Sequence, residues 1–193
     1  MAGRRRLPRS FFDRPAQTVA RELVGMVLVV GHGTDRTATR IVETEAYSPE
    51  DPASHSYRGM TPRNAAMFGP PGHLYVYLSY GVHFCANVVC EGQGRGAAVL
   101  LRAVQPLEGL PAMQRRRGSV PDRHLSDGPG KLCQALGIDR SWNGLDLCHA
   151  DSALYIERWT MAPVAVVVTP RIGISRAVDW PWRFVAAEAR IKV

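Results

Sequence analysis

Lysine is nearly missing from this sequence: Lys131 and Lys192 are the only two, so arginine carries the basic charge. Arginine suits bidentate contact with phosphate, although an Arg-, Ala- and Gly-rich composition also follows from coding bias alone, so only position can decide between them. No apolar run reaches the length of a membrane-spanning helix, and the basic start Met1-Ala2-Gly3-Arg4-Arg5-Arg6 is not followed by an apolar signal-peptide core. A cytoplasmic protein is therefore expected, without a membrane partner. Cysteine is scarce too. Cys85, Cys90, Cys133 and Cys148 stand at no metal-ligand spacing, which predicts buried free thiols in a reducing compartment and neither metal nor cofactor.

What is present points to nucleic acid. A net charge of +7 and a pI near 9.7 favour a polyanionic partner, because binding phosphate releases counterions. With 193 residues, 46% of them hydrophobic, the chain is the size of one domain with a proper core. We expect a single domain over 1–193, with 1–8 as a flexible basic start.

The pattern along the chain predicts an α+β fold. Asp13-Arg14-Pro15 can cap a helix carrying Val19 and Leu23 and ending near Gly25. Met26 to Gly31 and Arg36 to Tyr47 read as a hairpin turning at His32-Gly33-Thr34-Asp35. Ser48 to Gly72 is a long Pro- and Gly-rich loop, and loops of that length in compact domains are usually functional. His73 to Tyr80 and His83 to Val89 form a second hairpin, Ala97 to Val104 a strand, Leu107 to Arg116 a short helix, and Arg115 to Ser126 a mobile basic loop. A helix follows Asp127-Gly128-Pro129-Gly130-Lys131 and stops at Gly137, and strands are expected in Leu154 to Arg158, Val164 to Thr169 and part of Phe184 to Val193. Strands joined by tight turns imply a largely antiparallel sheet.

Within this frame RIVETEAY, Arg40 to Tyr47, is unusual for a half-buried strand. Alternation puts Ile41, Glu43, Glu45 and Tyr47 on one face: a solvated edge, or a pocket floor with a carboxylate beside a flat ring. Tyr75, Tyr77 and Tyr80 crowd the second hairpin. Tyr80 at its tip is a stray surface ring or a wedge between bases, and Tyr77 is a core residue or a base-stacking partner of Tyr47. Gly128-Pro129-Gly130-Lys131 offers backbone N–H groups and one ammonium to a phosphate, at a spacing that is not a P-loop.

Taken together, ETEAY at Glu43 to Tyr47, HS at His55 and Ser56, TPRN at Thr61 to Asn64, LYVY at Leu74 to Tyr77, YG at Tyr80 and Gly81, VLLRA at Val99 to Ala103 and GPGKLCQAL at Gly128 to Leu136 resemble the alkyladenine (3-methyladenine) DNA glycosylases. The resemblance runs from about Arg9 to the C-terminus. It implies a curved antiparallel sheet with surrounding helices and a protruding hairpin. It further implies that Glu45 is the general base activating a water, which Arg102 and the carbonyl of Ile172 help to hold. By the same resemblance Tyr47 and Tyr77 stack on a flipped base, His55 hydrogen-bonds its edge and Asn87 crowds out the amino group of normal guanine. Tyr80 fills the gap in the duplex, and Lys131, Thr61 and Arg63 contact phosphate. Relative to the longer vertebrate members, the chain carries Val82-His83 after the wedge and is a residue or two shorter between His55 and Thr61.

The activity so implied is monofunctional base excision. An alkylated purine (3-methyladenine or 7-methylguanine, with hypoxanthine a further candidate) leaves double-stranded DNA by attack of an activated water, and an abasic site remains. The implied partner is damaged duplex, bound by a monomer in a bacterial, nucleoid-associated setting. Two other readings compete: a non-catalytic module binding RNA or distorted DNA, and a hydrolase of free nucleosides. The first has no need of Glu45, and the second has no need of the basic loops or of Tyr80.

Overall fold

The computed structural model describes residues 5–33, 36–158 and 164–192. Among the described residues, nine strands form one curved, antiparallel sheet with four α-helices, an α+β architecture in a single compact domain. The strands are β1 (Arg5–Arg6), β2 (Val27–Val30), β3 (Thr37–Tyr47), β4 (Leu74–Ser79), β5 (His83–Cys90), β6 (Ala97–Glu108), β7 (Leu154–Arg158), β8 (Val166–Thr169) and β9 (Arg183–Ala186); the helices are α1 (Arg9–Phe12), α2 (Ala16–Leu23), α3 (Leu110–Arg117) and α4 (Pro129–Leu136). The order β1-β7-β2-β3-β6-β5-β4 places β3 in the interior, and β9, with β8 beside it, also pairs β3.

The helices follow from spacing. Ala16, Val19, Ala20 and Leu23 recur on one stripe of α2 and are fully buried, at about 2 kcal/mol each for the Val and Leu side chains. The helix starts after Pro15, without a side-chain cap from Asp13. Leu132, Cys133, Ala135 and Leu136 likewise bury one side of α4, and Gly137, at φ 70°, ends it. Together with Leu74, Val76, Val88, Val99 and Leu101 these residues make the main core, on the helix-covered face of the sheet.

Five expectations need correction. A bulge in β3 between Ile41 and Thr44 breaks strict alternation, so Ile41 and Val42 both join the main core, and only Glu43, Glu45 and Tyr47 keep to the other face. The strand expected over Ala97 to Val104 does not stop there: β6 runs to Glu108, because Pro106 sits opposite Thr39 beside a register shift, where no ladder N–H is required of it. The helix predicted from Leu107 therefore starts at Leu110, after Gly109 at φ 78°, where a Cβ would lie 2.8 Å from Thr37 Oγ1. The basic run is no free loop either. Arg116 donates to Ala135 O at 3.1 Å and Arg117 to Leu125 O at 3.1 Å, which pins the end of α3 to its neighbours. Finally, of the basic start, Arg5 and Arg6 pair with β7 and Leu7 is buried, so the flexible stretch expected over 1–8 does not extend that far; residues 1–4 lie outside the described residues. So do Thr34 and Asp35 of the first turn, and Val193.

Candidate active site

Strand alternation delivers the site to the face opposite α2 and α4. From β3 come Glu43, Glu45 and Tyr47, from β4 Tyr75 and Tyr77, from β5 Cys85 and Asn87, and from β6 Leu100 and Arg102. A cavity of about 490 Å³ opens above them, walled by Tyr47, His55, Tyr75, Tyr77, Asn87, Arg102 and Ile172, with Arg63 and Tyr80 at its edge.

Glu45 lies beneath that wall and is 0% exposed. Two hydrogen bonds and one ion pair hold its carboxylate. Ile172 N–H donates to Oε1 at 2.9 Å, the Arg102 guanidinium stands 3.3 Å from the same oxygen, and the Tyr47 hydroxyl donates to Oε2 at 2.9 Å. A carboxylate has about four acceptor positions, so one on Oε2 is left for a further donor. Glu43 serves differently. Its Oε1 accepts from Arg102 Nε at 2.8 Å and from Arg183 Nε at 2.6 Å, so it orients the arginine that meets Glu45. The solvated-edge reading of RIVETEAY is excluded.

Burial, the nearby Glu45 charge and the hydrogen bond to Glu45 all push the Tyr47 phenol far above its usual range, so it stays a donor. Tyr77 is raised chiefly by burial, and its ring stacks on Tyr75 at 5.5 Å. His55 meets the Tyr77 ring edge-on at 4.5 Å, and its Nδ1 is 3.0 Å from the Tyr75 hydroxyl, leaving Nε2 as its remaining polar atom. Burial first, then the Arg63 charge, lowers the His55 pKa below 6.5 and keeps the ring neutral at pH 7. Asn87 is buried opposite Tyr75 and donates to its carbonyl at 3.1 Å.

The loop from Ser48 to Gly72 is fixed largely by Asn64. Its side chain accepts from the Thr61 N–H and hydroxyl at 2.6 and 3.0 Å, and donates to the carbonyls of His55 and Gly59 at 2.8 and 3.1 Å. Thr61 thus spends its hydroxyl inside the loop, while Arg63 remains exposed and reaches Leu78 O at 3.4 Å. At the second hairpin Tyr80 and Gly81 take successive positive φ values, 51° and 72°, in a three-residue loop, and the Tyr80 ring is 88% exposed. Lys131 stands in the first turn of α4 with its ammonium 2.9 Å from Asp127 Oδ1. Gly130 lets α4 approach the hairpin: a Cβ there would meet His83 Cβ at 2.9 Å.

All of the candidates except Thr61 and Lys131 line or underlie the one cavity. Ile172 itself reaches Glu45 through its backbone N–H, at 2.9 Å. Sequence reasoning missed Tyr75, Asn64 and Arg183 as site-building residues, and missed a pair beneath the floor. Arg171 makes a bidentate ion pair with Asp51, donates to Ala46 O at 3.0 Å and holds its guanidinium 4.7 Å from the Tyr47 ring centroid. For Tyr75 the signal was available, since it shares the face of Tyr77 by alternation. Among the described residues, no three His, Cys, Asp or Glu side chains gather as a metal ion would require, and no helix is long and apolar enough to cross a membrane.

A buried carboxylate under a tyrosine- and histidine-walled cavity, on a chain of net charge +7, is an arrangement suited to an enzyme whose substrate carries flat rings on a polyanion. The profile of the Methylpurine-DNA glycosylase (MPG) family matches residues 10–190, and the chain belongs to that family. It is 52% identical over 184 residues to a protein of Granulibacter bethesdensis (95% of this chain, 85% of the relative) and to one of Rhodopseudomonas palustris (95% and 86%). To a protein of Nitrosospira multiformis it is 49% identical over 173 residues (90% and 86%). All three carry the provisional name 3-methyladenine DNA glycosylase. The protein is a DNA glycosylase, a hydrolase of N-glycosyl bonds whose substrate is DNA.

Proposed function

We propose that this enzyme is a monofunctional glycosylase that extrudes an alkylated purine from duplex DNA into the cavity and hydrolyses its bond to deoxyribose, with 3-methyladenine and 7-methylguanine as substrates and hypoxanthine as a further candidate. The observation that carries the reading is Glu45: a fully buried carboxylate, hydrogen-bonded by the same tyrosine whose ring walls the cavity. A binding module would have no use for it, since burying a charge is costly and adds no affinity for DNA.

In this reading Glu45 is the general base. Its remaining acceptor position on Oε2 takes the proton of the attacking water, and Arg102 and the carbonyl of Ile172 complete that water's surroundings. Because Glu45 is sealed in the free protein, Ile172, which is 48% exposed, or Tyr47 must yield enough to admit one water molecule. Departure of the purine leaves an oxocarbenium-like sugar, so the barrier falls most when the leaving base is already cationic, as N3- and N7-alkylated purines are. One carboxylate then suffices. A neutral hypoxanthine would need a proton as it leaves.

Tyr47 and Tyr77 stack on the extruded base, His55 Nε2 meets its edge, and Asn87 narrows the floor against the amino group of guanine. Tyr80 occupies the space left in the duplex, where an apolar wedge offsets lost stacking. Arg63 and Lys131 hold the backbone, and Thr61 adds its exposed edge. Lys131 is a phosphate contact here and not a nucleophile, so the strand is left uncut at an abasic site. The test is incubation with duplexes each carrying one modified base, followed by alkaline cleavage at abasic sites. Strand breaks with alkylated purines only after alkali support the proposal; breaks before alkali, or none from any alkylated duplex, reject it.

A further inference from the structure

Behind the cavity wall lies a second charged assembly that the reaction does not use directly. The Asp51 and Arg171 side chains are both 0% exposed and make two contacts with each other, one of them 3.0 Å. Arg171 does not line the cavity. Its guanidinium backs the Tyr47 ring at 4.7 Å and stands 5.3 Å from the Trp182 ring, and it also donates to Ala46 O at 3.0 Å. The next residue, Ile172, donates its N–H to Glu45. One guanidinium thus touches the strand between Glu45 and Tyr47 and supports Tyr47 from the rear.

A cation in that position has an electrostatic consequence. An aromatic face attracts positive charge, and Arg171 occupies the rear of this one. A purine stacked on the front of Tyr47 would lie roughly 8 Å from the guanidinium, where an uncompensated pair of like charges, at an effective dielectric of about 20, corresponds to about a 30-fold loss of affinity. Asp51 cancels that charge. With it, the carboxylates of Glu43, Glu45 and Asp51 balance the guanidiniums of Arg102, Arg171 and Arg183.

We propose that Asp51 is a specificity-determining residue: by neutralising Arg171 it lets the arginine support Tyr47 without opposing a cationic base stacked in front. The inference rests on the reading that Tyr47 stacks on the extruded base. Asp51 touches neither substrate nor reacting atoms and acts through Arg171.

The experiment compares affinities for three duplexes. One holds non-cleavable 2′-fluoro-7-methylguanosine, which is cationic; one holds its neutral 7-deaza-7-methyl isostere of the same shape; one is undamaged. For Asp51→Asn the ratio of cationic to neutral affinity should fall at least 10-fold from the wild-type ratio. A general loosening of the fold would weaken both duplexes alike and leave the ratio in place, which would overturn the proposal. Since a buried unpaired guanidinium can prevent folding, Arg171→Met is measured as well. That variant deletes the cation, so its ratio must equal or exceed the wild-type value, and a fall overturns the proposal whatever becomes of Asp51→Asn. If wild type prefers neither modified duplex to the undamaged one, the stacking role of Tyr47 itself fails; if it does prefer them and the ratio ignores Asp51, only the role of Asp51 fails.

Discussion

Tyr47 donates its hydroxyl to Glu45 Oε2 at 2.9 Å, two residues along the same face of β3, so one side chain both walls the cavity and holds the candidate base. The two duties are separable. Tyr47→Phe keeps the ring and removes the hydrogen bond to a buried carboxylate, a loss of roughly 1.5–3 kcal/mol. Single-turnover excision of 7-methylguanine should slow about 10- to 100-fold, while affinity for a duplex with a stable abasic analogue stays within about threefold. A matching loss of affinity would mean that the ring, and not the hydroxyl, carries the effect.

Glu45→Gln preserves shape but removes the base, and excision should fall by roughly 100-fold or more, the usual scale for a general base. Glu43→Gln leaves the base in place but weakens its grip on Arg102 and Arg183, so a smaller loss is expected, near 10-fold. Rates under single turnover give the comparison. Wild-type excision by Glu45→Gln would remove the catalytic assignment.

Tyr80 makes no packing contact that its 88% exposure would allow to matter for the fold. Tyr80→Ala should therefore leave the melting temperature within about 1 °C and impair excision from duplex more than from single strands. Equal losses on the two substrates would mean the ring is not a wedge.

Lys131 is held by Asp127, which tempers its charge until a phosphate competes for it. Lys131→Ala should weaken binding to undamaged and damaged duplex by the same factor and reduce the slope of log affinity against log salt by about 0.9, one phosphate contact. Titrations at several salt concentrations measure it; an unchanged slope would place Lys131 away from DNA.

The sequence by itself determined the local elements and the face that carries the chemistry. The α2 stripe, the two hairpins, Gly137 as a helix stop and the sharing of one face by Glu43, Glu45 and Tyr47 all follow from periodicity and turn residues, which act over a few positions. The motifs then pointed to the family. The bulge after Ile41 was not legible, because alternation assumes a continuous ladder and a bulge is decided by the strands on either side, here β6 together with β2 and β9.

Tertiary structure alone decided which atoms hold Glu45 and what supports them from behind. Ile172 and Arg183 reach β3 across 127 and 140 residues of sequence, and Arg171 meets Asp51 across 120. Nothing local marks Arg171 or Arg183, since a lone arginine in a Pro- and Trp-rich segment reads as solvated surface. Burial makes them partners: once β9 pairs with β3, the segment from Arg171 to Arg183 lies over the strand, and each carboxylate removed from water has to find a guanidinium or an N–H there.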